Sequence, residues 1–520
     1  MKVSYFGHAC FALEKGNTLL LTDPWLNSEG AFTSSWFQYP YNHHLRDGIL
    51  NKLKAYDSYI YISHAHKDHC DYDFLRDASP FVEKFILPDY KDQEFYQSFK
   101  RTYNSEKLTT LKDAQTLNLG ALKATIFLDD GLINEDSAIL VSDGNTQLLN
   151  LNDCKIHDRL SWIKSEFGKI DVLAAQFSGA TWHPHSYIYE PDKEASIANR
   201  KKLGKFRATK NAINDSEASA FIPSAGPATF LDPVLSKMVE SEVTIFASNQ
   251  EFETFLHRFE TDIHFLSMYP GQFVDISKNT DYTLSPADDI ALKHQSMSRE
   301  AYLDWYRDRV GINFDALNTP SRPLSNLFED FGREILRRVK LAGIGAGIKQ
   351  ELYLGIQELP DRIWHIDFAN ITVESIQAAD IPDEFYKVTY PAAEVERRLD
   401  GRMNWEDLAI TFRARAERVP DSYSTYINAF LFVNDEKLAS IISYFKEIEN
   451  RCERINVEVD GTQFEIDRYC PHQGADLKYG WAENGSWICP RHRWEFALED
   501  GGKCKQAKET INAINIMAES

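Results

Sequence analysis

The stretch Tyr59-Ile-Tyr-Ile-Ser-His-Ala-His-Lys-Asp-His69 decides the reading of this chain. Tyr59–Ile62 is a short run of aromatic and β-branched residues, which reads as a buried strand. The polar run Ser63–His69 then leaves the strand end, where α/β folds build their sites. Such a loop can aim His64 and His66 at one metal ion and Asp68 and His69 at a neighbouring position. Outward from it, residues 1–240 alternate short apolar runs with polar loops. Met1–Phe6, Thr18–Leu21, Lys84–Leu87, Lys123–Phe127, Ala138–Ser142, Gln147–Leu151, Asp171–Gln176 and Ala218–Ile222 are the other expected strands.

H-x-H-x-D-H at a strand end resembles the metallo-β-lactamase fold. Gly7-His-Ala-Cys10 and Thr22-Asp-Pro-Trp25 resemble that superfamily's opening strands, and Asn152-Asp153 stands where the fold places its bridging aspartate. The resemblance implies an αββα sandwich. It also exposes a departure, because the hydrolases of the superfamily supply two further histidines. One belongs in the loop before Ala138–Ser142, where this chain has Asp129-Asp-Gly-Leu-Ile-Asn-Glu-Asp136; the other follows the last site strand, where it has Ile222-Pro-Ser-Ala-Gly-Pro227. Without them, His64, His66 and Asp153 form two histidines and a carboxylate with open positions, the set used by mononuclear Fe(II) oxygenases. Asp68, His69 and Asp153 are an alternative core for the other half-site. Zinc or a dinuclear centre stays open.

A second motif lies near the C-terminus. Asn456–Ile466 alternates on both sides of Asp460-Gly461, a β-hairpin pattern. It is followed by Cys470-Pro-His472 and by Cys489-Pro-Arg-His492. Two Cys-plus-His pairs can hold zinc, but the C-x-H spacing is too short for the usual finger arrangement. One Cys and one His per loop suit a [2Fe–2S] cluster whose irons are held by two thiolates and two imidazoles. The pattern resembles the Rieske domain family over residues 451–516, with Cys470, His472, Cys489 and His492 as ligands. The loops carry no additional cysteine pair, and Arg493 and Glu495 stand where respiratory members have Ser and Tyr. Fewer hydrogen bonds to the sulfurs imply a midpoint near the low end of the Rieske range.

Between the two lies a mixed, helix-rich stretch, residues 241–450. Leu327, Phe328, Phe331, Ile335, Leu336 and Val339 recur at helical spacing behind a candidate N-cap at Ser325, and Glu436–Asn450 reads as a connecting helix. The expected division is therefore a metallo-β-lactamase-like domain (1–240), a helix-rich extension (241–450) and a small all-β Rieske domain (451–520).

The formal net charge of −21 disfavours nucleic acid, whose binding rests on phosphate neutralisation. No apolar run approaches the ~20 residues of a membrane span, and Met1–Leu21 lacks a signal-peptide pattern. Seven scattered cysteines read as reduced thiols in a cytoplasmic protein, not as a disulfide framework. No P-loop or dinucleotide fingerprint occurs, which places flavin and NAD(P)H on a separate protein.

The combination resembles the CMP-N-acetylneuraminate hydroxylase family, with the domain order reversed. The resemblance rests on the cluster motif, Ser63–His69, Asn152-Asp153 and Gln176–Ala180. It implies hydroxylation of an N-acyl or similar small, sugar-nucleotide-like substrate, or oxidation of its nitrogen, with O₂ and external electrons. A ferredoxin, cytochrome b5-like protein or flavin reductase is the expected donor. A hydrolase with a redox-sensing or structural cluster is the alternative. Whether cluster and metal site meet within one chain or across a homo-oligomer interface is left open. His183 and His185 are candidates for lining the pocket, and Asn199–Lys210 for binding an anion or forming a solvated helix. Arg413–Tyr423 is a candidate for contacting substrate or the Rieske domain, or for a structural role.

Overall fold

The computed structural model describes residues 1–130, 135–240, 243–259, 261–278, 282–345, 348, 351–491 and 493–516. The chain divides into two compact units. Met1–Thr181 with Asp192–Ile312 forms the first, and Trp182–Pro191 with Asn313–Ser520 the second.

The first unit carries strands β1 (Lys2–Gly7), β2 (Cys10–Lys15), β3 (Thr18–Thr22), β4 (Asp57–Tyr61), β5 (Val82–Pro88), β6 (Leu108–Leu111), β7 (Thr116–Asn118), β8 (Lys123–Asp130), β9 (Glu135–Ser142), β10 (Gln147–Asn150), β11 (Val172–Gln176), β12 (Ala220–Ser224), β13 (His264–Phe265) and β14 (Phe273–Asp275). They form two seven-stranded sheets, ordered β14-β1-β2-β3-β4-β5-β6 and β13-β12-β11-β10-β9-β8-β7. Period-two alternation explains the layering. Leu148, Val172, Ala174, Ala220 and Ile222 face the first sheet, in one core with Leu21, Ile60 and Ile86. Their neighbours Leu149, Leu173 and Phe221 face outward, in a core with Ile163, Phe206, Ala212 and Phe252 from the covering helices. Strands buried on both faces are near-continuous apolar runs, as Leu19–Leu21 of β3 and Val172–Ala175 of β11 are. This is the αββα sandwich expected. All nine strands read from the sequence are present, while β2, β6, β7, β13 and β14 were not read.

In the second unit, Leu352–Ile356, Arg362–Asp367, Thr372–Gln377, Phe385–Tyr390 and Arg415–Val419 form a five-stranded sheet beside the helices Leu324–Ala342 and Asp435–Glu449. The stretch read as helix-rich thus also holds a sheet. The first of these helices is capped at Pro323, not Ser325, which lies inside its first turn. The hairpin Arg454–Val459 with Thr462–Asp467 pairs through Val459 and Thr462, as its Asp460-Gly461 turn requires. It joins Ile514–Asn515 in a three-stranded sheet, followed by a four-stranded sheet over Trp481–Cys504. Both share one apolar core around Phe464, Ile466, Leu477 and Phe496.

No helix among the described residues is long and apolar enough to cross a membrane.

Candidate metal centres

The loop after β4 turns back on itself. His69 and Cys70 donate their amides to the His66 carbonyl at 3.0 and 2.8 Å, so four potential ligands of one short segment converge. The Thr22–Trp25 motif fixes them. Thr22 Oγ1 donates to the Ala9 carbonyl at 2.7 Å and tethers the β1–β2 turn. Asp23 accepts from the Ser63 amide and hydroxyl, both at 2.7 Å, and pairs with His69 Nδ1 at 3.1 Å. That pairing leaves His69 Nε2 for a metal, the usual carboxylate–histidine support. Trp25 packs its edge on His8 with ring centroids 5.2 Å apart.

Two triads result, each with donor atoms within 4.8 Å of one another: His64, His66 and Asp153, and His8, Asp68 and His69. In the first, His64 Nε2 and His66 Nδ1 are 2.8 Å apart. In the second, His8 Nε2 lies 3.2 Å from both His69 Nε2 and Asp68 Oδ2. Asp153 Oδ1 is 3.6 Å from His69 Nε2, so one carboxylate faces both triads. Asn152, left-handed at φ 54°, is what turns Asp153 there; Asn tolerates that conformation.

The two positions without histidine are filled differently. The amide of Ala225, in the Ile222–Pro227 loop, donates to the His8 carbonyl at 2.9 Å. His8, from the β1–β2 turn, therefore stands against the loop that lacks a histidine. His8, part of a strand motif in the sequence, is a donor that no local spacing marks. On the other side, Asp136 Oδ1 lies 3.2 Å from His64 Nδ1; residues 131–134 of that loop lie outside the described residues.

Burial alone would lower His64, but the carboxylates of Asp136 and Asp153 push it up to about 10. Burial likewise opposes, and Asp153 and Asp68 favour, the charged His69, which rises to about 9. Burial would raise Asp68 and Asp153, yet the neighbouring imidazoles hold both carboxyls well below the usual range. Burial and the adjacent Asp153 push Asp136 up. Asp68 Oδ1 and Asp153 Oδ1 are buried and accept no hydrogen bond among the described residues. Convergent imidazoles and orphaned carboxylate oxygens are the donor set for a divalent transition metal, and they fit iron.

The second centre is built on two matching loops. The Cys470 amide donates to the Ala475 carbonyl and Gly474 returns to Cys470; Cys489 donates to Trp494 and Arg493 returns to Cys489. The thiols of Cys470 and Cys489 are buried and within hydrogen-bonding reach of each other. The fourth residue after each cysteine is left-handed: Gly474 at φ 71° and Arg493 at φ 56°. The Arg493 guanidinium lies near Cys489, and burial pushes it down to about 10. His472 Nε2 is 3.1 Å from the Tyr423 hydroxyl, which leaves the buried Nδ1 for iron. Paired cysteine loops with a histidine so oriented fit a [2Fe–2S] cluster. His492 lies outside the described residues.

The other candidates are placed as follows. His183 belongs to the second unit, with Nε2 3.1 Å from the Tyr189 hydroxyl. Helix Pro191–Ser216 contains the basic stretch 199–210. Its Lys205 is buried, with Nζ donating to Gln176 Oε1 at 2.6 Å, so the stretch is not simply a solvated face. Arg413 pairs with the buried Glu394 at 2.8 Å.

Two family models match parts of the chain. Residues 2–198 match the family described as beta-lactamase superfamily domain, and residues 445–516 the Rieske [2Fe-2S] domain. A Xenopus laevis cytidine monophosphate-N-acetylneuraminic acid hydroxylase is 22% identical over 81% of this chain and 70% of its own. Among solved structures, CmlA, a diiron β-hydroxylase from Streptomyces venezuelae, is similar over 52% of this chain and 53% of its own at 16% identity, with a TM-score of 0.35. Proteins of Mycobacterium tuberculosis (strain H37Rv) and Mycolicibacterium smegmatis, both named for a Rieske 2Fe-2S iron-sulfur centre, are each 30% identical over 98% of either chain. The Rieske match implies a [2Fe–2S] cluster as cofactor. The chain belongs to the family of Rieske 2Fe–2S iron–sulfur proteins that these two mycobacterial chains represent, with a metallo-β-lactamase-like domain at its N-terminal end and the Rieske domain at its C-terminal end.

Proposed function

We propose that the protein is a Rieske-dependent non-haem iron oxygenase, an oxidoreductase of the monooxygenase type. It hydroxylates an N-acyl or similar small, sugar-nucleotide-like substrate, or oxidises its nitrogen. One observation carries this reading: a single chain holds the paired cysteine loops of a one-electron carrier and two adjacent histidine–carboxylate triads, with Asp153 of one facing the other. A hydrolase needs no electron carrier. An oxygenase does, since R–H + O₂ + 2e⁻ + 2H⁺ gives R–OH + H₂O and the electrons arrive singly. The named relative that hydroxylates a sialic acid nucleotide supports the substrate class.

His64, His66 and Asp153 would hold one iron and His8, Asp68 and His69 a second, with Asp153 between them. Iron there supplies O₂ binding and activation, while the protein supplies orientation and access. Asp23 keeps the tautomer of His69 fixed. Asp136, whose carboxyl is raised by burial and Asp153, can hold a proton beside His64 Nδ1. Electrons come from a separate ferredoxin, cytochrome b5-like protein or flavin reductase, in the cytoplasm. The net charge of −21 favours a donor with a basic face.

The test is O₂ consumption by the iron-loaded protein with a reductant and a panel of N-acyl sugar nucleotides and amines. Substrate-stimulated O₂ uptake with a product sixteen mass units heavier, or the matching nitrogen oxide, is expected. Hydrolysis of a phosphoester or lactone without reductant, by a protein holding two zincs in the first unit, would instead establish the hydrolase reading.

A further inference from the structure

His472 sits in a cage made by side chains of its own unit. The residue is 8% exposed. It stacks on Trp494 with centroids 4.4 Å apart and 11° between planes. Tyr423 stands against it edge-on, with centroids 5.1 Å apart and planes at 84°, and places its hydroxyl 3.1 Å from Nε2. Tyr423 is not part of either cysteine loop. It follows the strand Arg415–Val419 and makes a parallel bridge with Ala507. Its ring also meets Trp494 edge-on at 5.5 Å.

The surroundings hold Tyr423 in place. Tyr386 and the Arg418 guanidinium lie within electrostatic reach of its hydroxyl. Arg418 sits over Tyr187 and Tyr386 at 5.0 and 5.8 Å and bonds Asp421 at 2.8 Å. The hydroxyls of Tyr187 and Tyr386 bond to each other. Asp421 accepts from Tyr189 as well, at 2.8 Å.

We propose that Tyr423 is a positioning residue for the iron–sulfur cluster: it accepts the hydrogen bond of His472 Nε2–H, fixes the plane of that imidazole and lowers the reduction potential of the cluster. The physical reason is that an acceptor on the far nitrogen draws on the N–H and makes the ring a stronger donor through Nδ1. A stronger donor stabilises the oxidised iron more than the reduced iron. The proposal rests on the cluster alone and not on the oxygenase reading, so either can fail without the other.

The experiment is a potentiometric titration of the full-length, cluster-loaded protein, followed by EPR of the reduced state. Tyr423→Phe is expected to shift the midpoint upward and move the g values, with iron and sulfide content unchanged. Trp494→Phe loosens the stack and keeps the hydrogen bond, so its midpoint is expected to stay closer to that of the parent. An unchanged midpoint in Tyr423→Phe overturns the proposal, as does a shift in Trp494→Phe equal to or larger than it. If Tyr423→Phe does not take up the cluster, 3-fluorotyrosine at position 423 replaces it. That residue keeps the shape and makes the phenol oxygen a weaker acceptor. It is expected to give a smaller upward shift, and no shift overturns the proposal.

Discussion

Asp153 belongs to one triad and faces the other, so Asp153→Asn is the sharpest perturbation of the N-terminal centre. The substitution keeps the shape and one carbonyl oxygen, and removes one negative charge. The side chain is 24% exposed, which keeps solvent screening modest. At the 3.6 Å that separates Oδ1 from His69 Nε2, a unit carboxylate charge is worth roughly 5 kcal/mol against each unit of positive charge, with an effective dielectric of about 20. At ~1.4 kcal/mol per tenfold, that exceeds three decades in metal affinity. The imidazoles lose their support too, since Asp153 raises His64 and His69. The assay is iron content after gel filtration against a chelator, with the EPR signal of the reduced cluster as an internal reference. The variant is expected to lose the iron of the first unit and keep the cluster. Chelator-resistant iron equal to that of the parent would refute this role of Asp153.

Other outcomes follow from single contacts. His8→Ala should cost one iron per chain, from four to three, while the His64 triad stays loaded; an unchanged count would return His8 to a structural role. His43 is buried and pushed down to about 4 by desolvation, against an ordinary value near 6.5. The unfolded chain therefore takes up this proton first. The neutral form contributes fully above pH ~6.5, and about 3 kcal/mol is lost as pH falls through ~4. Melting temperatures at pH 7 and 4.5 should converge in His43→Asn relative to the parent, and equal acid sensitivity would contradict this. Arg493→Gln should lower the cluster midpoint, because a cation beside Cys489 favours the more negative reduced cluster; potentiometry showing no change would rule that out.

The N-terminal sandwich was legible because its signals are local. Each site strand is a short apolar run, and H-x-H-x-D-H follows one of them within seven residues. Edge strands were not legible: Leu108–Leu111 and Thr116–Asn118 are only partly buried and carry no apolar run. In the five-stranded sheet the edge strand Thr372–Gln377 is illegible for the same reason, being largely exposed and polar, whereas the buried Leu352–Ile356 is an apolar run that the reading passed over. His8 was the costliest omission. Its partners Asp68 and His69 lie some sixty residues away, and it is brought to them by long-range contacts that include the tether from Thr22 to Ala9 and the bond from Ala225. Tyr423 lay in a stretch flagged from its composition, but its alignment with His472 depends on packing between segments far apart in the chain. That packing has no periodicity to read.

Backbone strain ties these cases together. Non-glycine residues at positive φ include His8 at 50°, Asp23 at 35°, Asn152 at 54°, Ala225 at 47° and Arg493 at 56°. Each such residue costs on the order of 1 kcal/mol, and for Ala225 and Arg493 a glycine would relieve it. Chains tolerate this where the side chain or its neighbour must point in one direction. His8, Asp23 and the Asn152–Asp153 step are those places in the first unit, and Ala225 is the residue that bonds His8. Arg493 is the corresponding case in the second. The matching position of the first cysteine loop is Gly474, where a side chain would meet Tyr444 and Ile448 within 3 Å. The second loop accepts the strain of an arginine instead, and what it gains is a guanidinium beside Cys489. The two loops share one backbone and differ in charge, which is why Arg493→Gln tests the cluster and not the turn.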